Sequence, residues 1–177
     1  MVNTLSRIDA GPLLDSGDAR GVPEPAHRGP MNYELFMAEA IAEARRGGEE
    51  GEVPVGAVAV LDDAMIARDH DRIELQRDPT AHAVLLTLQA TARKLETRRL
   101  SEVTIFTTHE PCAMCVGAMV ETQVHALVFA VPDERRGAAG TVVQLARDPS
   151  LPHQLSVVSG VREAEARRLA SEAPASA

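Results

Sequence analysis

Glu110-Pro111-Cys112-Ala113-Met114-Cys115, read together with Asp78-Pro79-Thr80-Ala81-His82-Ala83-Val84 upstream, decides the fold of this chain. The two cysteines are the only ones present. Proline fits the first helical position, so the spacing predicts a helix opening at Pro111. Residues three apart then share a face. The positive end of a helix favours thiolates there. His82 falls in the first turn of another predicted helix. Taken alone, a C-x-x-C pair also fits structural thiols or a redox couple, and a histidine at a helix start fits a cap or a surface residue. Together, two thiolates and one neutral imidazole form a ligand set for catalytic zinc, with a fourth position left open.

The rest of the sequence suits a globular setting for such a site. At 177 residues, with 45% hydrophobic side chains, the chain has the size of one domain. It has no Trp, one Tyr and three Phe, so the core must come from aliphatic residues and Met. A net charge of −8, from 18 basic and 26 acidic groups, argues against tight non-specific nucleic-acid binding but leaves room for a local basic patch. Few aromatics leave few stacking platforms for bases. There is no apolar run long enough to span a membrane and no signal-peptide pattern. With only one cysteine pair, a reducing, cytoplasmic location is expected.

Residues 1–30 are rich in Gly, Pro, Ser and Asp and read as a flexible leader. Patterning begins at Met31, an alternative start. From Asn32, a plausible N-cap, Phe36, Met37, Ala40, Ile41 and Ala44 recur on one helical face until Gly47-Gly48 stop it. Residues 53–61 form a continuous apolar run expected as a buried strand. Asp62-Asp63 supply a turn, and an antiparallel partner follows over 64–67. Residues 69–78 read as a loop. A helix capped by Thr80 is expected to about Leu95, with Val84, Leu85 and Leu88 on its apolar face. Strands follow at 103–107, 124–131 and 154–158. Residues 135–140 read as a loop. Helices are expected at 142–146 and 161–170, and residues 171–177 as a frayed tail. Helices between successive strands suggest parallel pairing and helices on both faces of a sheet.

The signature H-x-E followed by P-C-x-x-C belongs to the zinc nucleobase deaminases, and this chain matches it except at one residue. The likeness extends to Val53-Pro54-Val55-Gly56-Ala57-Val58, Gly117-Ala118-Met119, Arg136-Gly137-Ala138-Ala139-Gly140 and Val142-Val143-Gln144-Leu145. Over roughly residues 32–161 the chain resembles the bacterial tRNA-specific adenosine deaminases of the cytidine deaminase-like superfamily. That resemblance implies an α/β three-layer fold: a mixed five-stranded sheet with helices on both faces, within a domain over 31–170. It implies zinc held by His82, Cys112 and Cys115. It also implies hydrolysis of adenosine to inosine in tRNA, and assembly as a homodimer or heterodimer.

The departure is Val84, which stands where active members carry the glutamate that moves protons between water, the ring and the leaving amine. Valine cannot titrate. Removing a positioned acid–base group typically costs 10²–10⁴ in rate. Activity is therefore expected to be lost or very low. One subunit of the eukaryotic wobble deaminase, by the same resemblance, also carries Val there and supports its partner. Glu52, which precedes the first strand, is the candidate substitute proton carrier. Among positions that resemble substrate contacts, Val53 and Asp133 flank the pocket. Asp71 replaces an Asn that bonds the base. An ionised Asp only accepts hydrogen bonds, which suits guanine or a protonated base better than adenine. Glu110 belongs to the motif in active members too and is expected to cap the helix or orient the site. Arg135, Arg136, Arg167 and Arg168 read as surface groups or phosphate contacts. His70 and His153 have no metal role. The expected activities are therefore a non-catalytic zinc-binding subunit, an active deaminase with another proton carrier, or a protein in which zinc only staples the fold.

Overall fold

The structure is a computed structural model that describes residues 31–172; the leader expected over 1–30 lies outside the described residues. In chain order the elements are α1 (Tyr33–Glu49), β1 (Gly56–Leu61), β2 (Ala64–His70), α2 (Ile73–Gln76), α3 (Ala83–Lys94), β3 (Thr104–His109), α4 (Ala113–Glu121), β4 (Ala126–Val131), β5 (Ser156–Ser159) and α5 (Glu163–Glu172). The strands form one mixed sheet in the order β2-β1-β3-β4-β5.

Strand alternation builds the three layers. In β1, Val58 and Val60 point to a core shared with Phe36, Met37 and Ile41 of α1 and Leu169 of α5. Ala57 and Ala59 point the other way, to a core with Leu88 of α3 and Met119 of α4. Burial on both faces explains why the strands read as unbroken apolar runs. Phe106 of β3 anchors the first core, with its ring 5.4 Å from Phe36 and edge-on to Tyr33 at 5.8 Å.

Asp62 and Asp63 both adopt left-handed backbone conformations, φ 54° and 57°, as a two-residue hairpin requires. The hairpin reverses the chain, so β1 and β2 are antiparallel. Helix α3 then carries the chain over β1 to β3. The strands on either side of α3, β2 and β3, therefore run the same way, as expected across an intervening helix, but β1 lies between them, so β3 pairs antiparallel with β1. The pairs β3/β4 and β4/β5 are parallel.

Several local expectations are revised. Asn32 does cap α1, accepting from the Leu35 amide at 3.1 Å. Gly47 and Gly48 do not stop that helix, which runs to Glu49. Gly47 is buried, and a Cβ added there would lie 3.0 Å from the His70 ring, so the glycine serves packing. Glu43 is buried, paired with Arg46 and Arg68 and facing His70. Strand β2 extends to His70, and a four-residue helix, α2, lies inside the expected 69–78 loop. Residues 142–146 are not helical. No described helix is long and apolar enough to cross a membrane.

Candidate metal centre and its cavity

Both metal-motif helices begin later than the sequence suggested, and that shift builds the site. Thr80 does not cap α3; its amide and hydroxyl both donate to Asp78 Oδ1, at 2.8 and 2.7 Å, in a turn. The N-cap position of α3 is His82 and that of α4 is Cys112. Pro111 precedes the helix. Both cap residues have extended backbones, with ψ of 144° and 173°, and neither side chain caps its own helix. Their donor atoms are thereby left to face each other. The job His82 does not do falls to Asp71, whose Oδ1 accepts from the Ala83 amide at 2.7 Å.

The three donors meet tightly. His82 Nδ1 lies 3.8 Å from Cys112 Sγ and 3.6 Å from Cys115 Sγ, and the two sulfurs are 3.8 Å apart. A disulfide needs about 2.05 Å, so these are free thiols in no disulfide. Donors sharing one tetrahedral ion at about 2.3 Å (sulfur) and 2.0–2.1 Å (nitrogen) stand about 3.6–3.8 Å apart. The observed spacings fit that requirement, and the donor set suits zinc. Cys112 is pushed down to about 3 by hydrogen bonding with Cys115 and then with His82. Cys115 is pushed up by the same bond and by burial. His82 is raised, chiefly by its bond with Cys112. The Cys112–Cys115 hydrogen bond thus shifts the two thiols in opposite directions, and a cation held by both as thiolates would displace the proton between them.

The trio lies at one end of a hollow of about 540 Å³, its open mouth included. Val84, Asp71, Val53 and Asp133 also line it. Val84 is 3% exposed and offers the cavity an apolar wall two residues from His82. Asp71 is buried, and burial raises its carboxyl from 3.8 to about 6, against the Ala83 hydrogen bond that lowers it. Val53 is half-exposed at the mouth. Asp133 accepts from the amides of Arg135 and Arg136 at 2.9 and 3.0 Å.

Glu52 is placed differently from the expected substitute carrier. It is buried but does not line the cavity, and its two oxygens accept from the Glu74 and Leu75 amides, at 3.1 and 2.8 Å, at the start of α2. Glu110 does not cap α4. Its Oε1 accepts from the Ala139 and Thr141 amides at 2.9 and 3.1 Å, and its Oε2 from the Asp133 amide at 3.1 Å. One buried carboxylate thus pins the 133–141 loop over the metal motif. Gly137 makes room for it: a Cβ there would lie 2.4 Å from Glu110 Oε2. Thr107 and His109 also line the cavity and were not singled out from the sequence; Arg136, read there as a surface group or phosphate contact, lines it too. The alternation of β3 held the signal, since Ile105, Thr107 and His109 must share the α3/α4 face. Burial holds the His109 imidazole below its ordinary range.

A mixed sheet covered on both faces, with His and two Cys converging from two helix starts, defines a nucleobase-deaminase fold. The profile of the MafB19-like deaminase family matches residues 31–158. The chain is 43% identical over 132 residues to a tRNA-specific adenosine deaminase of Bacillus subtilis, covering 75% of this chain and 82% of the relative. Among solved structures, a tRNA:A34 deaminase superposes with a TM-score of 0.74 at 36% identity, over 76% of this chain and 98% of that one. A guanine deaminase from Nitrosomonas europaea superposes at 0.66 with 25% identity, over 82% and 86%. The chain belongs to the deaminase family that contains the tRNA-specific adenosine deaminases.

Proposed function

We propose that this protein is a zinc-binding member of the tRNA adenosine deaminase family whose metal site is preserved and whose hydrolytic step is disabled or very slow. The observation that carries this reading is Val84, buried in the cavity wall beside the His82–Cys112–Cys115 trio. When bound, zinc supplies a Lewis acid that acidifies water. The chain's own residues must do the rest. His82, Cys112 and Cys115 hold the ion. Asp71 presents a carboxylate to the incoming base. Glu110 fixes the loop that carries Asp133 and Arg136 to the rim. Hydrolysis of adenosine to inosine and ammonia further requires a group that delivers protons to the ring and to the departing amine, and Val84 has none to give. Both Glu52 oxygens are engaged by the amides of α2 and Glu52 does not line the cavity, which supports a site without that substitute carrier.

In this reading the protein acts as a binding subunit, as a homodimer or beside an active deaminase. Met114 of α4 and Val142 and Val143 are exposed, and the amides of both valines donate to Gly137, which bridges to Cys112. That apolar surface next to the metal motif suits a partner subunit. Free thiols and tRNA-acting relatives favour a cytoplasmic setting. A second reading, an active deaminase with another carrier, draws on Asp71, which lines the cavity with Oδ2 in no hydrogen bond among the described residues. The test is a tRNA anticodon stem-loop with adenosine at the wobble position, offered to the zinc-loaded protein in excess. The expected result is binding that weakens when the wobble base is removed, with no inosine formed. Turnover at an enzyme's rate supports the second reading. No binding of either RNA removes tRNA from the account.

A further inference from the structure

Thr107 is 0% exposed, and among the described residues its Oγ1 is the one buried side-chain nitrogen or oxygen without a hydrogen-bond partner. Three other buried threonines find one. Thr87 Oγ1 donates to the Ala57 carbonyl at 3.3 Å, Thr91 Oγ1 to the Thr87 carbonyl at 2.7 Å, and Thr108 Oγ1 accepts from the Gly56 amide at 3.2 Å. Thr107 does not do the same. It sits in the central strand β3, opposite Ala57 of β1 and Phe129 of β4, where both flanking strands already use the backbone. Its neighbours Ala57, Ile105 and Phe129 belong to the apolar core under α3 and α4. Valine would fill that space equally well, suits a strand, and leaves nothing unsatisfied. A hydroxyl held there without a partner is a standing cost to the free protein.

The cavity offers the missing partner. Thr107 lines it together with Val84 and the metal trio. Val84 contributes no polar atom, so the hydroxyl is the polar group of that stretch of wall. We infer that Thr107 is a ligand-binding residue of the metal cavity, its hydroxyl satisfied by a ring or exocyclic heteroatom of the purine that enters. A hydroxyl rotates between donor and acceptor, so it accepts either kind of purine edge. It thereby complements Asp71, which when ionised can only accept. The inference rests on the proposal that the cavity receives a nucleobase.

The experiment is calorimetric titration of the zinc-loaded full chain with adenosine, inosine and guanine, together with thermal melting of the free protein. Thr107→Val keeps the shape and removes the hydroxyl; Thr107→Ser keeps the hydroxyl. The expected result is about 3- to 10-fold weaker binding of the best ligand by the Val variant, and affinity within about twofold of wild type for the Ser variant. The Val variant should melt at or above the wild-type temperature. Equal binding by wild type and the Val variant overturns the inference, as does equal loss in the Ser variant. A fall in melting temperature of more than about 3 °C in the Val variant marks the hydroxyl as structural and overturns it too. If wild type binds none of the three, the nucleobase reading of the cavity fails, and this inference falls with it.

Discussion

The metal end of the cavity and the wall adjoining it are built to different standards. At the metal end three donors from two helix starts stand 3.6–3.8 Å apart, with each cap residue relieved of capping its own helix. At the adjoining wall the polar equipment is incomplete. Val84 is apolar, Thr107 has no partner, and Asp71 is a half-used carboxylate raised by burial. His82 and Val84 are two residues apart, yet one belongs to the metal trio and the other to the apolar wall beside it. Holding a metal and moving a proton are thus separable demands on one turn of helix. The first needs a convergence of backbones; the second needs one titratable side chain.

The comparison breaks most readily at the metal end. Cys115→Ala should take zinc content from about one ion per chain to almost none, read by elemental analysis after dialysis, because only Cys112 and His82 remain of the trio and the chain has no third cysteine to replace the lost ligand. Full retention would show that the ion lies elsewhere. The support for that end is tested by Glu110→Ala. It strands the amides of Asp133, Ala139 and Thr141, of which the Ala139 amide is buried, and should cost about 2–4 kcal/mol in denaturant unfolding, with faster amide exchange across residues 133–141. A loss below about 1 kcal/mol would mean the loop holds itself.

The adjoining wall is sharpened by Asp71→Asn in the metal-free protein. The folded carboxyl titrates at about 6, above its ordinary 3.8. The protonated form is therefore the comfortable one when folded. The stability this group contributes is full below about pH 4 and is lost as pH rises through about 6. Asparagine keeps an oxygen for the Ala83 amide and has no charge to bury. The variant should match wild type near pH 4 and exceed it above pH 6, by up to about 3 kcal/mol. Parallel stability curves would show that Asp71 is not desolvated.

The sequence revealed the metal end more fully than the wall, for physical reasons. Thiol and imidazole spacing within helix starts is a local matter, so Cys112, Cys115 and His82 were legible, as were the apolar strands buried on both faces. The antiparallel pairing of β1 with β3 was not, because it follows from the hairpin at Asp62-Asp63 combined with a crossover, and local periodicity carries no such information. The true helix starts were missed because Thr80 and Pro111 satisfy the usual preferences while Asp78 and Asp71 take over the bonding. The work of Glu110 also escaped, since its partners lie 23–31 residues away. Thr107 lay hidden in an apolar strand, where only burial without a partner distinguishes it.

The central claim is that the cavity lacks only a proton carrier. Its most direct test compares zinc-loaded wild type with Val84→Glu, both in excess over an anticodon stem-loop bearing a wobble adenosine, with inosine measured under single-turnover conditions. The account predicts a silent wild type and a Glu variant faster by about 10²–10⁴. Wild-type turnover that the substitution does not improve would contradict it, because the proton would then be moving through a residue other than the one at position 84.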